Sequence, residues 1–415
     1  MLGTGLGLVW ISAALANTAP EDRADAANDR SVTDVESPQI GRFPDDAIVR
    51  TGTFPGSLAI PGTGASVRLG GFVRADVTSD LDGLGFPDVV SNRTIPLDGE
   101  SGDRRGQTNF SARSSRINFD VRAETRLGPV RGFIEADFLG AGSSLSSGYA
   151  FQLRHAAAQV GNLYVGQWWS SFVDVAALPE AANAPLGSPT LRQPGVHYAA
   201  NLGRSGWRMG IGAENPAGDL SGSTSVPLAS EVIPDLTGYV QLRQTVLRVR
   251  AAGLLRRLET ASDDAWVGGV NLSGRVRLPF LGPRDSVSFQ GQFGTGFARY
   301  YLSFVGAGLD GFVKPDGSIA ATEVLAGYVA LQHWWSARWR STAAVSALRF
   351  GLDALAPDGS FRAGEFYSAN LFWSPVDRTT FGVDVIYATR ETARGDRGSG
   401  LRIHATARVD FWAGP

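Results

Sequence analysis

In SVRLGGFVRADV, residues 66–77, the apolar residues Val67, Leu69, Val73, Ala75 and Val77 share one parity, and Arg68, Arg74 and Asp76 share the other. RINFDVRAET repeats the pattern, with Ile117, Phe119, Val121 and Ala123 set against Arg116, Asn118, Asp120, Arg122 and Glu124. GWRMGIGAEN, TVLRVRAAGLL, AWVGGVNLSGRVRL and LRIHATARVDF alternate in the same way. A period of two sustained over such runs predicts β-strands, not helices. The runs are roughly nine to fifteen residues long, near the ~9–11 that cross a bilayer when tilted. Strands in lipid must close into a barrel so that no backbone edge is left unpaired. Arg248 and Arg250 then assign the faces: on lipid each costs roughly 2–4 kcal/mol at mid-depth, so they look into an aqueous lumen, with Leu247, Val249 and Ala251 toward lipid.

Segmenting the chain predicts sixteen strands, at about 66–78, 116–126, 129–139, 149–160, 162–169, 194–202, 206–214, 235–245, 246–257, 264–278, 285–299, 322–335, 338–350, 364–374, 378–391 and 399–412. Connections after odd strands are mostly long and those after even strands short, as in outer-membrane barrels with long outer loops and short periplasmic turns. The predicted fold is therefore all-β, a transmembrane antiparallel barrel over 66–412. NLYVGQWWSSFVDVAALPE ends its strand on Trp168 and Trp169, where an aromatic girdle belongs. The loop that follows, with Asp174 and Glu180, is expected to fold inward and narrow a channel. The alternative is that both indoles anchor a surface loop outside the pore.

Composition fits this reading. The 415 residues include 52 Gly and no Cys, carry a formal charge of −2, and have a mean hydropathy of −0.05. No apolar run is long enough for a spanning helix, and the near-neutral balance speaks against nucleic acid. Of 38 basic residues a single one, Lys314, is lysine. Residues 1–16 read as a signal peptide ending on Ala14-Leu15-Ala16, though without a positive n-region, and residues 17–65 as an irregular periplasmic lead-in.

Catalytic chemistry is thin. His155, His197, His333 and His404 lie apart without HExxH spacing, the glycine clusters lack a strand–turn–helix context, and no strand offers a Ser, His and Asn patch. Neither a metal nor a cofactor is expected. The chemistry lies in the arginines: Arg74, Arg116, Arg122, Arg154, Arg248, Arg250, Arg275 and Arg277 share lumen parity, Arg192 comes from the inward loop, and Arg113 stands just before the second strand. Guanidinium groups are permanently charged and bind carboxylates in bidentate fashion. Glu135 and Asp137 either form a negative wall opposite them or pair with Arg122 and Arg116 on the neighbouring strand.

The stretches SVRLGGFVRAD, QTNFSARSSRINFDVR, GFIEADFLG, LRHAAAQVGNLYVGQWWSSFVDVAALPE, ENPAGDL, ALQHWWSARWRSTAA and ANLFWSPVDRTTFGVDVIY resemble the DcaP-like outer-membrane porins over about residues 54–412. SARSSR, EADF and GQWWSSFVDV are the most distinctive. The resemblance implies a sixteen-stranded trimeric barrel in the outer membrane of a Gram-negative bacterium. It also implies uptake of small organic anions, dicarboxylates and aromatic acids among them, through an Arg-rich constriction. Two departures stand out: DRADAANDRSVTDVESPQ lacks the pattern of the family's helical N-terminal extension, and the chain ends FWAGP, which leaves Phe411 as the terminal aromatic assembly signal. A non-selective diffusion porin is the alternative, and an outer-membrane enzyme or adhesin a third class.

Overall fold

The computed structural model describes residues 50–100, 106–140, 149–222 and 231–411. Its long strands form one closed antiparallel barrel of sixteen staves. In chain order these are β1 (Ala65–Asp82), β2 (Gln107–Ser111 and Arg116–Thr125, one stave in two pieces), β3 (Gly128–Gly140), β4 (Ala150–Val160), β5 (Leu163–Trp169), β6 (Arg192–Asn201), β7 (Trp207–Glu214) and β8 (Asp235–Arg243). They continue as β9 (Leu247–Glu259), β10 (Asp264–Arg277), β11 (Ser286–Thr295), β12 (Glu323–Trp334), β13 (Trp339–Gly351), β14 (Phe361–Trp373), β15 (Thr379–Thr392) and β16 (Arg397–Asp410). Each pairs with its sequence neighbours, and β16 returns to β1 from Phe72↔Asp410 to Asp82↔Leu401. Closure leaves no edge strand for lipid to face, the condition that any sheet spanning a membrane must meet. No helix among the described residues is long and apolar enough to cross a membrane.

The alternation of the sequence becomes two surfaces. Leu69, Val73, Phe119, Ile134, Val270, Leu272, Val345 and Val385 point outward and are exposed on the isolated chain, which is where lipid tails lie. At the turn rim a belt of rings rides on this face: Trp339 stacks on Trp373 at 5.5 Å and Trp373 lies 5.7 Å from Phe381. Indole suits this depth because its body is apolar and its N–H can reach water or headgroups.

The inner surface departs from the expectation of an aqueous lumen throughout. Along β13 the inward residues run Arg340, Thr342, Ala344, Ser346, Leu348 and Phe350, polar toward the turn rim and apolar toward the loop rim. The reason is that three long connections, seen over 83–100, 170–191 and 296–322, fold into the mouth. Leu84, Ile95, Phe172, Tyr300, Tyr301 and Phe304 from these loops pack on Leu348, Phe350, Phe361, Phe366 and Ile386 of the wall. The lumen therefore holds a hydrophobic core at one end and a polar channel wall at the other.

Buried ion pairs pin this arrangement. Arg256 of β9 reaches Asp235 at 3.2 Å and Asp310 at 2.6 Å, and Tyr300 donates to Asp235 at 2.9 Å, so strand and loop share one network. Arg402 of β16 grips Asp80 of β1. Before β1, Leu58–Ala59 pairs with Val67 and Ser66, so residues 50–64 turn back along the first stave instead of forming a purely irregular lead-in. The proposed signal peptide, residues 1–16, lies outside the described residues.

Candidate functional site: the loop-lined constriction

β5 is short, and the chain leaves it at Trp169 to run inside the barrel. Polar and charged loop residues find partners along the inner wall, which explains why SSFVDVAALPE can be buried. Ser170 and Ser171 bond to Glu214 of β7 at 3.0 and 2.8 Å. Asp174 accepts a fork from Arg248 at 2.8 and 2.7 Å and a further bond from the Ser273 hydroxyl at 2.6 Å. Arg250 donates to the Ser171 carbonyl, and Arg275 donates to the Leu178 carbonyl at 2.9 Å. Glu180 accepts from Arg340 of β13 at 2.6 and 2.5 Å and from Gln332 of β12 at 2.9 Å. Farther along, the Ala182 N–H donates to Asp384 of β15 at 2.9 Å and Gly187 N–H to Ser346 at 2.7 Å. The loop thus lines the wall from β9 around to β15.

Beneath its first half stands a basic wall. Pairing sets Arg248 directly opposite Arg275 and Arg243, and places Arg250 across from Gln241, itself opposite Arg208. Arg250 also lies 3.7 Å over the ring of Tyr239. Burial alone pushes the Asp174 carboxyl up, but Arg248, its hydrogen bonds and Arg250 outweigh this and hold it down to about 2. One loop carboxylate thus sits among several guanidiniums.

A second group occupies β2–β6. Arg154 binds Glu135 at 2.8 Å and Asp137 at 2.7 Å, and Arg116 lies 3.4 Å from Glu135. Of the two readings of the acids, pairing with Arg116 is present, whereas Arg122 bonds to Asp120 instead. The β3–β4 register shifts between Glu135 and Ala136, and this bulge turns both Arg154 and His155 inward, where strict alternation would separate them. The His155 ring is 4.3 Å from Trp168 and 5.4 Å from Trp169. Trp168 also meets Phe133 at 5.6 Å, so it packs on the inner side and not in the lipid girdle. Both tryptophans belong to the last two positions of β5, not to the loop. Arg192 likewise is the first residue of β6, opposite Trp169 and 4.6 Å over its ring.

Three arginines lie away from the constriction. Arg113 donates to Asp88 and to the Phe138 and Gly140 carbonyls, an anchor for the loop segment 83–100. Arg74 is held by Asp76 at 2.8 Å and is buried. Arg277 bonds the Pro283 carbonyl at 2.8 Å in the adjoining turn. Arg340, Gln332, Ser273 and Gln290, whose side chain donates to the Asp174 carbonyl at 2.8 Å, bind the loop as well; of these only Arg340 carries a sequence signal, sharing one parity with Thr342 and Ser346 in RSTAAVS. Among the described residues no cluster of His, Asp and Glu has the arrangement of a metal site. Ser171 Oγ lies 3.0 Å from His197 Nδ1, but Glu214 approaches that same nitrogen at 3.8 Å. A Ser–His–acid relay needs the two partners on different ring nitrogens, so this cluster cannot act as one.

A family model described as "Porin subfamily" matches residues 56–392. No curated protein matches the chain. Among solved structures, the outer membrane channel DcaP of Acinetobacter baumannii is similar with a TM-score of 0.75 at 22% identity, over 87% of this chain and all of that one. The anion-selective porin from Comamonas acidovorans gives 0.55 at 12% identity, over 84% of this chain and 100% of that one. Salmonella typhi OmpF, in complex with daunomycin, gives 0.55 at 10% identity, over 85% and 99%. The family match over most of the chain and the closed sixteen-stranded wall lead to one conclusion: the chain belongs to the porin subfamily and is a channel protein of the outer membrane.

Proposed function

We propose that the protein is a partly selective porin for small organic anions, dicarboxylates and aromatic acids, with its selectivity set where the inward loop lies against β8–β10. The observation that carries this reading is the pairing of Arg248 with Arg275 across β9 and β10, with Arg250 two residues on and Asp174 as the loop's carboxylate among them. A carboxylate passing such a wall exchanges part of its hydration for charge-assisted bonds. The low-dielectric barrel focuses the field, and partial exposure to water keeps the binding weak enough for release. Arg192 adds a cation from β6. A non-selective diffusion porin is the second reading, favoured by the pairing of Arg154 and Arg340 with acids, which cancels much of the lumen's charge.

Assembly as a homotrimer belongs to the same proposal. β5 and β7 have seven and eight residues against fourteen in β15 and β16. A low stretch of wall is poorly matched to a bilayer and suits cover by a neighbouring barrel, in a closed symmetric ring.

Reversal potentials in a salt gradient across a planar bilayer test the selectivity. The wild-type channel is expected to prefer anions at low ionic strength and to lose the preference at high salt, where the Debye length shrinks to about 3 Å at 1 M. The Arg248→Gln/Arg250→Gln variant should show a smaller preference and slower uptake of small carboxylic acids while still folding. An unchanged reversal potential would move the filter elsewhere.

A further inference from the structure

On the far side of the barrel from β8–β10, the inner faces of β1, β2 and β3 carry a separate basic cluster. Asp120 is buried and accepts two bonds from Arg122, at 3.1 and 2.8 Å, and two from Arg131, at 2.9 and 3.1 Å. Arg68 adds a fifth at 3.3 Å. Arg122 and Arg131 stand directly opposite each other in the β2–β3 register, close to the turn that joins those strands. Both use Nε and Nη2 on the carboxylate, and their Nη1 atoms make no hydrogen bond among the described residues. The two guanidiniums alone exceed the one charge they share. Their side chains remain 35% and 19% exposed.

The segment before the barrel completes the cluster. Its fold is fixed by the Thr51 to Leu58 bridge, by pairing of Leu58–Ala59 with β1, and by bonds from Thr53 to Ser66 Oγ at 2.9 and 3.2 Å. This hook sets the ring of Phe54 4.5 Å from the Arg122 guanidinium and 5.6 Å from that of Arg68. Phe133 does the same for Arg131 at 4.9 Å. An aromatic face behind a guanidinium holds its plane and leaves the N–H edge to a ligand.

We infer that this cluster is a second anion station at the turn-side mouth, in which Arg122 and Arg131 offer their Nη1 edges to a carboxylate and Phe54 of the N-terminal hook backs the site. It rests on the anion-porin reading but not on the loop constriction. A carboxylate leaving the filter meets the station before open solvent, and one arriving from the turn side is drawn in by it. Asp120 keeps the station weak by sharing the same guanidiniums.

The chain has no Cys, so a single introduced thiol reports on local potential. In Glu124→Cys, an exposed position two residues beyond Arg122 on the same strand that keeps both arginines, a negatively charged methanethiosulfonate should react on the order of tenfold faster than a positively charged one, and succinate should slow it. The ratio should fall toward one in Glu124→Cys/Arg122→Gln/Arg131→Gln and rise in Glu124→Cys/Asp120→Asn, while adding Phe54→Ala to Glu124→Cys should weaken protection by succinate. Leu127→Cys in the adjacent turn, 81% exposed, supplies the background ratio. Pro129→Cys, exposed and opposite Glu124 in the strand register, serves if the first variant does not assemble. A ratio no larger than that of Leu127→Cys, or no protection by succinate, overturns the inference. Reversal potentials of the cysteine-free protein judge the porin reading separately: anion preference without a raised ratio removes the station alone.

Discussion

Asp174 concentrates the electrostatics of the inward loop in one carboxylate. Its pKa is depressed from 3.8 to about 2, so the stabilisation it gives the loop is complete above about pH 4 and is lost as the pH falls through about 2. The step in conductance and anion preference that belongs to Asp174 is therefore expected only below about pH 4, which bilayer recordings in acid would check. Asp174→Asn should abolish the acid step and, by leaving Arg248 without its carboxylate, raise anion preference at neutral pH. Arg256 makes a different point. It is fully buried between Asp235 and Asp310, so Arg256→Ala leaves Asp310 without a guanidinium and Asp235 with only Arg299 and Tyr300, and should cost about 3–5 kcal/mol. The readout is a lower temperature for loss of the folded electrophoretic band, with little effect on selectivity, because Arg256 serves the loop core and not the channel wall.

At the scale of elements, the staves were legible and their deviations were not. The stretch read as 338–350 is Trp339–Gly351 and that read as 378–391 is Thr379–Thr392, because outward and inward residues alternate cleanly there. β2 is broken at 112–115, and its first piece, Gln107–Ser111, escaped because QTNFS carries too few apolar positions to show a period. The β4 bulge escaped for a related reason: Arg154 and His155 are both polar, so parity gives no warning that both turn inward. The inward loop depends on close approach at Gly187. A Cβ there would lie 2.4 Å from the Gly327 carbonyl oxygen and 2.8 Å from that of Ala347, both wall backbone. Gly187→Ala should therefore lift the loop from β12 and β13 and widen the channel, seen as a larger single-channel conductance in a barrel that still folds. Unchanged conductance would mean that the loop's ion pairs and hydrogen bonds to the wall, and not the close fit at Gly187, hold it in place.

For the whole molecule, the closed ladder predicts a barrel that resists detergent until heated and gives β-type circular dichroism; substantial helical signal in detergent would contradict the fold. Three-step closure in single insertions is the expected mark of the proposed trimer, and uniform single steps with monomer mass in mild detergent would count against it. What the sequence determined by itself is the closed wall: a period of two, an even number of runs and arginines on one parity leave lipid no other arrangement. Which partner each arginine meets was decided only by tertiary structure. Arg74, Arg113 and Arg154 have the same side chain as Arg248 and Arg250, yet their environments differ because acids and carbonyls distant in sequence come to meet them: Asp88 reaches Arg113, and Glu135 and Asp137 reach Arg154. The apolar plug was equally hidden, since Leu348 and Phe350 continue the inward parity of Arg340 and make sense only once Phe304 of another loop has packed on Phe350 at 5.1 Å. Periodicity records the direction in which a side chain points; the partner it meets there depends on how loops far apart in the chain fold back into the barrel.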